Sequence, residues 1–165
     1  MSNEELFAAT AINTWYTMAS RLEKALSTMS EEDLQLEVAP ERNRVYYLLG
    51  HLTAFHDRLF HQLGLGERLY PALEDSFVTK PDRSGKDSFD GAALRRMFAE
   101  ISATVASGLH AMPPAQLLQK AESVSEQDFA AQPLRNRLAA LINSTAHMML
   151  HLGQIRLALR PDNKS

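Results

Sequence analysis

Two histidines, His147 and His151, stand four residues apart in a segment that reads as a helix. On a helix of 3.6 residues per turn they differ in direction by about 40°, the spacing at which two imidazoles can converge on one metal ion. Asn143, four residues before His147, and Gln154, seven after it, fall on the same stripe and are candidates for orienting ligands or water around such an ion. The segment Leu138–Leu157 is otherwise mostly apolar, which predicts burial on most sides. A polar group left unsatisfied in such surroundings costs about 1–3 kcal/mol, so four aligned polar residues imply an interior site. Neutral, hydrogen-bonded histidines or a dimer seam would account for the same residues.

Two imidazoles do not complete a metal site, and three histidines are one standard catalytic set. His51 is the best third ligand, in the apolar run Tyr46–Phe55 and beside Gly50, which permits close approach of a neighbour. His56 and His61 point about 140° and 280° away from His51. His56 adjoins Asp57 and Arg58 and is expected in solvent, whereas His110 closes a helix, where histidine suits the negative end. Tyr47 and Arg58, four before and seven after His51, are read as ordinary packing and a solvated charge. The chain has no cysteine, so a transition-metal site must use histidine and oxygen ligands, and any thiol nucleophile must come from a cosubstrate. An ion held by three neutral imidazoles keeps its full charge and would lower the pKa of bound water to near 7, or ionise an external thiol.

Four long helices are expected to position these residues. The first opens at the capping box Ser2-x-x-Glu5 and runs to about Met29, with Leu6, Ala9, Ile12, Tyr16, Ala19 and Leu22 as its buried stripe. Ser30–Asp33 opens a short turn. The second is predicted from a cap near Asn43 to Gly64, a residue suited to the left-handed position past a helix end. Residues 65–89 form a long loop rich in Gly, Pro, Asp and Ser, of the kind that covers a site or links non-adjacent helices. The third helix follows Asp90 and stops at Pro113-Pro114. The fourth begins at Pro133 and stops at Pro161. Arg42-Asn43-Arg44-Val45 and Arg135-Asn136-Arg137-Leu138 form a faint internal echo that places His51 on the face equivalent to that of His147 and His151.

Composition bounds the rest. A chain of 165 residues, 45% hydrophobic and 22% charged, fits one globular domain spanning 1–165. A formal charge of −3, with acidic and basic residues interleaved, leaves no basic face for nucleic acid. The acidic start lacks a signal-peptide layout, and no apolar run approaches a membrane span, so a soluble, cytoplasmic protein is expected.

Gly50-His51-Leu52 in the second helix, together with His147-x-x-x-His151-x-Gly153-Gln154-Ile155 in the fourth, resembles the DinB/YfiT-like superfamily. The resemblance covers nearly the whole chain, including the Ser-Glu-Glu-Asp-Leu turn after the first helix. It implies an all-α four-helix bundle of up-down-down-up order, with 65–89 as the crossover between helices two and three. It also implies a divalent metal, zinc or nickel, on His51, His147 and His151, and a homodimer. For activity it implies thiol-dependent transfer with a cosubstrate of the bacillithiol or mycothiol type. The alternatives are metal-dependent hydrolysis, or a metal- or partner-binding module without turnover. Many relatives carry a basic residue after the last histidine, and Leu152 stands there in this chain.

Overall fold

The computed structural model describes residues 1–159. Among these residues the chain is all-α, with four long helices, two short ones and no strand beyond two isolated bridges. The long helices are α1 (Asn3–Ser27), α3 (Val45–Gln62), α4 (Gly91–Ala111) and α6 (Arg137–Ala158), and the short ones are α2 (Glu31–Leu34) and α5 (Glu126–Ala131). Helix α1 packs against α4 and α6, and α3 packs against the same two, so α1 and α3 lie diagonally across the bundle. The proposed stop at Pro161 lies outside the described residues.

Local chemistry accounts for the ends. The capping box at Ser2 and Glu5 forms, and a second one joins Ser30 to Asp33 at α2. Gly64 has φ +70° just past α3, as expected of the residue that follows a helix. Asp90 caps α4 by accepting from the Ala93 amide. Two starts differ from expectation. Helix α3 begins after Arg44, because Asp82 reaches across to accept from the Arg44 amide at 2.8 Å and supplies the anion at this helix start. Helix α6 begins at Arg137, because Asn136 accepts from the Ala139 amide and donates to the Pro133 carbonyl, which leaves Pro133 in a preceding turn.

The core centres on Trp15, Leu22, Leu49, Leu52, Phe98 and Ile101. Trp15 corrects the stripe expected on α1. Its burial turns inward the face bearing Ala8, Met18, Ala19, Leu22 and Leu26, whereas Leu6 and Tyr16 are exposed. One residue is about 100° of rotation, and the largest side chain decides which face goes in. Helix α6 is likewise less enclosed than its composition predicts, with Ile142, Met149 and Leu150 more than half exposed.

The segment between α3 and α4 is pinned at both ends. Near α3, the buried Asp57 accepts from the amides of Leu69 (2.7 Å) and Tyr70 (3.1 Å) and from Arg68 (3.0 Å). Near α4, Arg44 binds Asp82, Asp87 and Gln35. Between these anchors a π-helical turn, Asp75–Thr79, buries Phe77 against α3. The long loop therefore covers the helix that carries His51.

Candidate metal centre

Helices α3 and α6 lie side by side, and their facing residues bring three imidazoles to one point. His51 Nε2 lies 3.2 Å from His147 Nε2, which lies 2.9 Å from His151 Nε2. One ligand nitrogen from each falls within 4.8 Å of both others. The Nδ1 of His51 is 2.8 Å from the Phe77 carbonyl, and that of His151 is 2.7 Å from Gln154 Oε1. These acceptors place the proton of each ring on Nδ1 and leave its Nε2 a bare lone pair facing inward. His147 can direct one Nε2 proton at only one of them. Three nitrogens gathered around fewer protons than contacts have the geometry of donors to a shared cation, and the donor set of neutral imidazoles suits a divalent transition metal.

The surroundings keep the rings neutral. Burial lowers the pKa of all three. His147 is held at about 4, by burial first and then by its neighbours His151 and His51. Phe55 fills the space between His51 and His147, with ring centroids 4.6 and 4.5 Å away, and Tyr47 stacks on His51 at 6.1 Å. The Tyr47 hydroxyl donates to the Lys80 carbonyl, which ties this wall to the crossover. The guanidinium of Arg58 lies 4.7 Å above the Phe55 ring and is paired twice with Glu74. Tyr47 and Arg58 therefore border the centre, and Arg58 is half-buried rather than a solvated charge.

His51, His147 and His151 meet, and Gln154 holds His151. Asn143 is exposed and lines a cleft beside His147, with no hydrogen bond to the ring. His56 overturns the expectation of solvent: it is 1% exposed, between Trp15 and Phe98. Its Nδ1 donates to the Leu52 carbonyl one turn back, so half of its polar demand is met inside its own helix, and burial depresses its pKa to about 4. The adjacent Asp57 does not mark a wet surface, because the crossover buries it. His61 donates to the Gly66 carbonyl outside the centre, and His110 is exposed in the last turn of α4.

Sequence reasoning missed the Phe77 carbonyl, since a backbone acceptor leaves no trace in residue type. Gly50 was the available signal. A Cβ there would collide with the Phe77 ring, so this glycine lets the π-helical turn settle next to His51.

A family model described as the DinB superfamily matches residues 14–155. That span contains α3 and α4 whole, the second half of α1, most of α6 and all three histidines, and the chain belongs to this superfamily. A search of curated proteins returns no match.

Proposed function

We propose that this chain holds a divalent metal, zinc or nickel, on His51, His147 and His151, and uses it to transfer a low-molecular-weight thiol to an electrophile. The convergence of three Nε2 atoms with two Nδ1 protons already committed to Phe77 and Gln154 carries the reading. When bound, such an ion supplies Lewis acidity that favours the ionised form of a thiol or water in an open position.

The chain's own residues have narrower tasks. The three imidazoles donate lone pairs and stay neutral because the site is half-buried. Phe55 and Tyr47 exclude water from one side of the rings. The cleft next to His147, which Phe55 also lines, gives a reactant access to the centre. Neither carboxylate nor cysteine lines this cleft; its hydroxyls are Ser123 and Ser144, and its one imidazole, His147, is assigned to the metal, so the protein offers no thiolate or carboxylate of its own there. That favours an added thiol and a reducing, cytoplasmic setting. Hydrolysis is the second reading, with water as the nucleophile, and a binding module without turnover is the third.

The test is a screen of metal-loaded protein against electrophiles with bacillithiol, mycothiol, glutathione or no thiol, with His147→Ala as control. Turnover that needs both metal and thiol is expected. Equal turnover without thiol would move the reading to hydrolysis, and no metal-dependent turnover would leave the binding module.

We further infer a homodimer. The exposed Ile142 and Met149 of α6 line one groove with Phe7 of α1, which is 73% exposed, and Ala11 and Ala146 lie in the same groove. Gly153 continues the face with open space above it, so a partner helix can approach closely. Met149→Glu should convert a dimer to a monomer by light scattering. A monomeric wild type would end this proposal.

A further inference from the structure

The cleft that starts at His147 runs along α6 to its N-cap, Asn136. Eleven residues at 1.5 Å each span roughly 16 Å. The cleft holds about 490 Å³; Leu59, Val124, Ala139 and Ala140 give it apolar surface, and Gln62, Ser123, Asn143 and Ser144 add polar groups along its length. Its far side is folded backbone, since the Glu122 amide donates to Gln62 (3.1 Å), the Ala121 amide to Arg135 (3.4 Å) and the Arg137 amide to Gln119 (3.0 Å).

No carboxylate lines this space, and besides His147 the titratable side chains that do are Arg58 and Arg135. The two arginines differ. Arg58 is committed to Glu74 on one side and to the Phe55 ring on the other. Arg135 stands at the far end, with its side chain 45% exposed and its partner Asp128, 55% exposed, at 3.4 Å. Such surface pairs contribute little, so an incoming anion can replace Asp128. A carboxylate on Arg135 would gain the two-pronged geometry that guanidinium favours.

We propose that the cleft binds an elongated amphipathic molecule with a metal-seeking head, such as a thiol, at the three histidines. Its unbranched apolar body lies along α6 and its carboxylate tail on Arg135. The proposal rests on the metal reading of the centre and adds to it the class of ligand and the residue that selects it. Arg135 is a specificity determinant and touches the tail, not the reacting end.

The experiment measures binding of 11-mercaptoundecanoate and of 11-mercaptoundecanol, whose extended chains match the length of the cleft, to the metal-loaded full chain, wild type and Arg135→Gln, by calorimetry. Metal content and helix content are recorded for each sample. The wild type should prefer the carboxylate by about tenfold, the scale of one charge-assisted hydrogen bond. Arg135→Gln should remove the preference while metal content stays the same. Equal affinities in metal-replete wild type, no binding of either thiol, or a preference that survives Arg135→Gln would each overturn the proposal and leave the metal centre standing. Protein that takes up no metal is a separate result: it removes the reading of the centre and this proposal with it.

Discussion

The carbonyl of Phe77 lies 2.8 Å from His51 Nδ1, and the ring of the same Phe77 rests on Gly50, the residue before that histidine. One residue of the crossover thus sets both the tautomer of a candidate ligand and the depth at which the crossover sits. Gly50→Ala forces a methyl group into the Phe77 ring. The expected loss of stability is about 1–3 kcal/mol, the usual range for overpacking. Metal affinity should fall in parallel, because the carbonyl withdraws from His51. Denaturant unfolding and a chelator-competition titration check the two effects.

Gln154 does for His151 what Phe77 does for His51, but from a side chain, so it can be removed cleanly. Gln154→Ala should lower metal affinity by roughly 10- to 100-fold with helix content unchanged. His151→Ala should abolish tight binding, again without loss of helix, because the apolar bundle supplies most of the stability. Circular dichroism alongside metal titration separates these outcomes from unfolding.

The helices and the three histidines were legible because periodicity and caps act locally. Ser2 and Asp90 start helices through their side chains, and Gly64 follows the end of one through its backbone freedom. The errors came from long-range partners. Asp82 displaced the start of α3 from Asn43, the buried Trp15 turned α1 by a residue, and the crossover drew Asp57 inside while His56 filled the core between Trp15 and Phe98. None of these contacts is encoded within a helical turn of the residue it moved.

Arg44 is buried, with Asp82 on one side and Asp87 on the other, and its pKa is raised by both carboxylates. Removing one partner of such a pair strands the other, so Arg44→Ala should cost about 3–5 kcal/mol in chemical unfolding. The crossover end near α4 should then exchange its amide protons faster than the end held by Asp57.

The pH dependence of stability tests His56. Its pKa in the folded chain is about 4, below the ordinary 6.5. The unfolded chain therefore binds more protons between those values, and stability falls as pH drops through this window. The full effect is on the order of 3 kcal/mol, and more than half of it should be lost between pH 7 and 5. In His56→Leu the same pH change should cost less, with the remaining slope due to the three clustered histidines. Identical slopes in both proteins would show that His56 is protonated in the folded state or not enclosed.

Metal content tests the central claim most directly. Protein purified without an affinity tag or chelator, then dialysed against zinc or nickel, should retain about one ion per chain by elemental analysis. His147→Ala should retain none while keeping its helix content. Wild-type protein that holds no divalent ion, or a His147→Ala variant that holds as much as the wild type, would contradict the assignment of His51, His147 and His151 as a metal centre.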